Sequence, residues 1–150
     1  MAADEVNGSA PGAEGFSLLE LLAALAILAV LASIALPTYA EYVARSRRFE
    51  ARAGLLEAAH WMERWRTERG RYDDPANAGQ PPTEFPWRQI PRAGEANYTV
   101  SVFATAVTYR ITATATRTMA SDVCQSLSID ETGMRSFTGS GSTEEVCWRR

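Results

Sequence analysis

Gly15-Phe16-Ser17-Leu18-Leu19-Glu20 opens a segment in which Leu21 to Leu36 carry no charge and Pro37 follows directly. As a helix, residues 16–36 would rise about 31 Å, which matches a bilayer hydrocarbon core of about 30 Å. The segment is therefore predicted to cross a membrane once. Glu20 lies four residues after Phe16 in this otherwise apolar run. An acid inside a membrane span is costly and is normally paired, so Glu20 is a candidate for a contact with a cation. The bland alternative is that it rests among lipid headgroups, where its cost is low.

Upstream, MAADEVNGSAPGAEG is rich in Ala, Gly and acid and has no periodic apolar pattern, so residues 1–15 read as a leader rather than part of the fold. Downstream of Pro37 the pattern becomes one-sided. Leu55, Ala58, Ala59, Met62 and Trp65 recur at helical spacing, while Arg45, Arg52, Glu57, Arg64 and Glu68 are expected off that stripe in solvent. Gly70 is a stop signal. One long helix over about 16–69 is predicted, with a bend or local unwinding at Pro37, whose ring removes an amide donor and crowds the preceding turn.

From Arg71 to Asn97 five prolines exclude most regular structure, and Phe85 and Trp87 are the residues able to anchor the middle of this stretch. Beyond it, Tyr98, Val100 and Val102 alternate with Thr99 and Ser101, and Tyr109, Ile111, Ala113 and Ala115 alternate with Arg110, Thr112 and Thr114. These are strands with one polar face. Val123, Gln125, Leu127 and Ile129 suggest a third, and Asp130-Glu131-Thr132-Gly133 turns into a fourth near Met134 to Phe137. The expected architecture is α+β: a long helix with a four-stranded antiparallel sheet laid on its apolar stripe.

GFSLLELLAALAILAVLASIALPTYAEYVARSR, residues 15–47, resembles the N-terminus of type IV pilins and the related pseudopilins. The resemblance includes Pro37, Tyr39 and Tyr42 and resumes weakly at Cys124 and at Cys147-Trp148. It implies a leader, residues 1–15, a transmembrane and assembly half-helix, 16–37, and a periplasmic globular domain, 38–150. It also implies cleavage between Gly15 and Phe16 by a prepilin peptidase that N-methylates Phe16. Assembly would then run through Phe16, Glu20 and Pro37, with Glu20 meeting the Phe16 amine of a neighbouring subunit. The implied partners are other pilin subunits, the prepilin peptidase/methyltransferase, the inner membrane and the inner-membrane assembly machinery. The implied location is the inner membrane of a Gram-negative bacterium, then an extracellular pilus serving motility, adhesion or DNA uptake.

Two features depart from the family pattern. The leader carries Asp4, Glu5 and Glu14 and no basic residue, and Arg45, Arg47 and Arg48 follow the span. A positive-inside count alone would place the C-terminal side in the cytoplasm, whereas the motif places it outside. The motif is followed, because two cysteines suit an oxidising compartment and long domains translocate largely regardless of charge.

Cys124 and Cys147 are the only cysteines. Their spacing is not that of a CxxC redox pair, and with the lone His60 they are too few for a zinc site. A structural disulfide, as the resemblance also implies, stands against two unpaired thiols. Its loop of about 24 residues would contribute about 3 kcal/mol on the chain-entropy account. Gly139-Ser140-Gly141-Ser142 lacks the Lys of a phosphate loop and reads as flexible connection. No nucleophile, base and orienting group converge, so no enzyme, cofactor or metal is expected.

All fifteen basic residues are Arg, and removing residues 1–15 takes three acids and no base, which leaves fifteen of each sign. No global basic field draws DNA to the chain. The reading is a pilus subunit, major or minor, with a type II secretion pseudopilin as the alternative. A DNA-binding minor pilin for natural transformation is a further one, with Arg110, Arg117, Arg135, Arg149 and Arg150 as its candidate contacts. A conventional secreted protein cut after Ser33-Ile34-Ala35 is disfavoured by the helical pattern that continues past that site.

Overall fold

In the computed structural model, which describes residues 15–149, one helix, α1, runs Leu18–Arg69 and is the one described helix long and apolar enough to cross a membrane. The leader reading, apart from Gly15, and Arg150 lie outside the described residues. The chain divides into two compact units between Tyr39 and Ala40. In the first, α1 is exposed at every described position, and the helix continues through Pro37, where a bend or local unwinding is expected. Nearby hydroxyls bond back to carbonyls of the preceding turn, Ser33 Oγ to Val30 at 2.7 Å and Thr38 Oγ1 to Ile34 at 3.0 Å.

The second unit holds the core. Ala51, Leu55, Ala58, Ala59, Met62 and Trp65 form the buried stripe of α1. Small residues at 51, 58 and 59 let other backbones come close, and the stripe ends where Gly70, at φ +75°, closes the helix with its amide on the Arg66 carbonyl at 2.7 Å. Arg52 departs from the solvated position predicted for it: it is 8% exposed. At about 100° per residue it falls at the edge of the stripe, beside Arg48 and Tyr98, where its long stem is sheathed.

The sheet is an antiparallel meander of five strands, β1 (Gln89–Ile90), β2 (Tyr98–Ala104), β3 (Tyr109–Ala115), β4 (Ser126–Asp130) and β5 (Arg135–Phe137), in chain order. The expected four-stranded sheet gains β1, a two-residue edge too short to show a period of two. Gly54 makes room for it, since a Cβ there would meet Ile90 Cδ1 at 2.9 Å. Register pairs Val102 with Ile111 and Ile111 with Ile129, which aligns the inward side chains into the helix-facing layer. Strand β4 starts at Ser126 rather than Val123, because Gln125 takes a left-handed φ of 44° at the end of a turn closed onto Asp122. Phe85 and Trp87 do anchor the proline-rich stretch in the core, where Phe85 sits edge-on to Trp61.

Candidate functional site: two termini and the outer sheet face

The residues singled out from the sequence fall in three places. At the N-terminal end, Phe16 and Glu20 are exposed, and Glu20 makes no ion pair with any described residue. α1 starts at Leu18, and its first closed turn is marked by the Leu21 amide on the Ser17 carbonyl at 3.1 Å. Glu20 therefore lies in the first turn of a helix, where unpaired amides favour a negative charge.

At the C-terminal end, Cys124 and Cys147 form a disulfide with Cα atoms 5.7 Å apart and both side chains buried. The bridge ties the loop before β4 to a helical turn, Glu145–Arg149. Trp148 covers the last strand and donates its indole N–H to the Ser136 carbonyl at 3.0 Å, while Arg135 lies over its ring at 5.4 Å. The preceding Gly-Ser segment is more than flexible connection. A Cβ on Gly139 would overlap the Val123 carbonyl oxygen, so only glycine lets these two backbones pass.

The third place is the solvent face of the sheet. Its residues are Thr99, Ser101, Thr112, Thr114, Ser128 and Ser136, a field of hydroxyls, with Phe103 and Arg110 paired across β2 and β3. A groove of about 630 Å³ is lined there by Ser101, Phe103, Arg110, Thr112, Asp130 and Glu131 among others. Phe103 is 64% exposed, a ring with nothing on its outer side among the described residues. Such a groove offers one stacking surface, one guanidinium and several hydroxyls beside the carboxylates of Asp130 and Glu131; the ring, cation and hydroxyls suit a sugar-phosphate strand with an unstacked base.

The arginine candidates are not gathered into one patch. Arg110 reaches Asp130 at 3.8 Å, Arg117 reaches Glu95 at 3.1 Å and Arg149 reaches Glu144 at 3.9 Å. Each is exposed and half neutralised. Asp130 has its carboxyl pKa lowered through hydrogen bonds from Thr132 and Met134 and the Arg110 charge, which outweigh the opposing and largest single effect, desolvation.

Sequence reasoning missed two buried ionic sites. Arg48, 2% exposed, bridges Glu41 at 2.8 Å and Asp122 at 3.2 Å. Asp73 accepts from Arg71 Nη2 and from the Gly79 amide, both at 2.8 Å, while its carbonyl receives the Trp65 indole N–H at 3.4 Å. The Arg71 guanidinium holds the Asp73 carboxyl at about 2, well below its ordinary value. A visible signal existed only for the second: Asp73-Asp74, three residues after the helix stop at Gly70, is a pair of turn-forming acids.

Comparison with known proteins adds five findings. A family model described as "Type IV minor pilin ComP, DNA uptake sequence receptor" matches residues 37–128. One for the prokaryotic N-terminal methylation motif matches residues 12–36. Among solved structures, a type IV pilin from Shewanella oneidensis is 25% identical and covers 71% of this chain and 99% of its own, with a TM-score of 0.47. The non-core minor pilin PilV of Neisseria meningitidis is 18% identical over 68% of this chain and 93% of its own, with a TM-score of 0.46. No curated protein sequence matches the chain significantly.

Proposed function

Because the chain belongs to the type IV pilins, in the family described as the type IV minor pilin ComP, DNA uptake sequence receptor, we propose that it is a minor pilin that brings a DNA-contacting face to the filament. It is a type IV pilus subunit, and its apolar helix with the methylation motif is consistent with membrane anchoring before assembly. The observation that carries the DNA reading is the match over residues 37–128, which covers the globular part and not only the N-terminal motif. The groove around Phe103 and Arg110 supports it with a ring and a cation among hydroxyls, the cation being shared with Asp130.

Maturation follows from the same reading. A peptidase in the inner membrane of a Gram-negative cell removes residues 1–15, cutting between Gly15 and Phe16, and the new Phe16 amine is methylated. Glu20, without an ionic partner among the described residues, then pairs with the Phe16 ammonium of an adjacent subunit. In a low-dielectric surrounding a misplaced neighbour leaves a charge unpaired, so the pair sets axial position. Pro37 ends the apolar segment through which subunits pack.

The test is retention of single-stranded and of linear duplex DNA by the full-length mature chain in detergent. Retention at low salt that falls steeply as salt rises, and is weakened by Phe103→Ala, is the expected result. A chain present in sheared filaments that retains no DNA at low salt would overturn the DNA role and leave a purely structural subunit.

A further inference from the structure

The groove on the outer sheet face holds charges of both signs, and phosphate binding alone makes use of only one of them. Register sets Phe103 directly across from Arg110, and Arg110 directly across from Asp130. With neighbouring strands about 4.8 Å apart, this row is about 10 Å wide. Glu131, the next residue, lines the same groove.

The three charged groups are not equivalent. Asp130 is committed to its own turn, its Oδ1 accepting from the Thr132 amide at 3.1 Å, the Thr132 hydroxyl at 2.7 Å and the Met134 amide at 3.0 Å. Arg110 stands 3.8 Å from Asp130 Oδ2, beyond hydrogen-bond length, and its guanidinium donors have no hydrogen-bond partner among the described residues. Glu131 is anchored by one oxygen only. Its Oε2 accepts the Tyr109 amide at 3.3 Å, which holds the carboxylate in place, while Oε1 takes no hydrogen bond from a described residue. A carboxylate has about four lone-pair positions, so most of them remain open.

An exposed ring, a guanidinium with open donors and an anchored carboxylate with open acceptors therefore meet in one groove. The four bases differ in what they offer such a pair. Guanine alone carries two adjacent donors, N1–H and the N2 amino group, on one edge and two adjacent acceptors, O6 and N7, on the next. On the pairing edges of adenine, cytosine and thymine each donor is flanked by acceptors, so the second oxygen of a carboxylate meets a lone pair.

We infer that this groove reads an unpaired guanine: the base lies on Phe103, Glu131 accepts from N1–H and N2, and Arg110 donates to O6 and N7. The inference rests on the DNA reading and narrows its ligand, because cytosine occupies N1–H and N2 in a duplex. The strand must arrive single or with that base turned out. A sugar ring would also lie on Phe103, but its hydroxyls are satisfied by any polar group, whereas guanine uses both charges, so guanine is the occupant.

The experiment measures retention of short oligothymidylates by the full-length mature chain in detergent at low salt, with one central base varied. Guanine there is expected to tighten binding at least about fivefold over thymine, adenine or cytosine, the lower end for a good bidentate contact. Inosine, which lacks only the N2 amino group, is expected to lose most of that gain, and deazaguanine, with carbon in place of N7, part of it. Both arms use the unaltered chain, so folding does not enter. Glu131→Gln keeps an oxygen for the Tyr109 amide but loses the paired acceptors, and its guanine strand is expected to bind no more than about twofold better than its inosine strand. Equal binding of the guanine, inosine and thymine strands, or a guanine preference unchanged in Glu131→Gln, overturns the inference. Displacement of the guanine strand by lactose as readily as by guanosine monophosphate overturns it too and assigns the ring to sugars. Retention of all strands alike leaves the DNA reading standing without guanine recognition, whereas retention of none removes both.

Discussion

Between Leu18 and Tyr39 every residue of α1 is exposed and Glu20 has no ionic partner among the described residues, whereas between Arg48 and Trp65 eight residues are buried and Arg48 holds two carboxylates. Both regions lie in one helix, yet only the second finds its partners among the described residues of the chain. Hydrophobicity alone does not separate them, because a stripe on Ala, Leu and Met fills a core while the all-round apolar surface is exposed at every described position. What distinguishes them is where each charge finds its counterion. Arg48 is balanced by Glu41 one side and Asp122 on the other, so its cost is met on folding. Glu20 has no such counterion among the described residues.

That contrast can be broken at either end. Glu20→Ala is expected to have the largest effect and the narrowest one: cleavage after Gly15 continues, incorporation into sheared filaments falls at least about tenfold, and the thermal midpoint of the purified chain stays unchanged. Normal incorporation would remove Glu20 from the assembly contact. Arg48→Ala should do the reverse, strand the Asp122 carboxylate and lower unfolding stability by about 3 kcal/mol in a urea titration. A loss under about 1 kcal/mol would mean that water replaces the guanidinium there.

The smallest effect is expected at Asp73 and sharpens the comparison through pH. Its carboxyl is held down chiefly by Arg71, at about 2 against an ordinary carboxylate value near 4. The group is charged and bonded in the folded chain above that range, so its contribution is complete above about pH 4 and is lost as pH falls through about 2. Urea midpoints of the wild type should decline over that interval more steeply than those of Asp73→Asn, whose side chain does not titrate. Parallel declines would show that the Arg71 contact adds nothing.

Much of this was legible from residue patterns. The apolar stretch to Leu36, the stripe from Leu55 to Trp65, the stop at Gly70 and the two alternating strands around Val100 and Ile111 are all present in the structure. Each is a local period or a local turn preference, expressed within a few residues. The misses have a common cause. Strand β1 is two residues long and exists through its pairing of Gln89 with Thr99. Gln125 interrupts an otherwise good alternation because its turn closes onto Asp122, and Arg52 is enclosed near Tyr98, a strand residue distant in sequence. In the candidate groove, Phe103 and Arg110 were visible only as members of separate strands until register set them side by side.

By itself the amino-acid sequence determined the membrane-length helix with its solitary acid, the one-sided stripe that follows and the strands that cover it, because period and composition act on the nearest neighbours along the chain. Only the tertiary structure decided that Arg48 meets Asp122 across more than seventy residues, that Gly139 slides against the Val123 backbone and that Arg52 is enclosed with its Nε unpartnered among the described residues. These depend on which distant segments come together, and contacts between distant segments are set by packing and register across the whole core rather than by any local pattern.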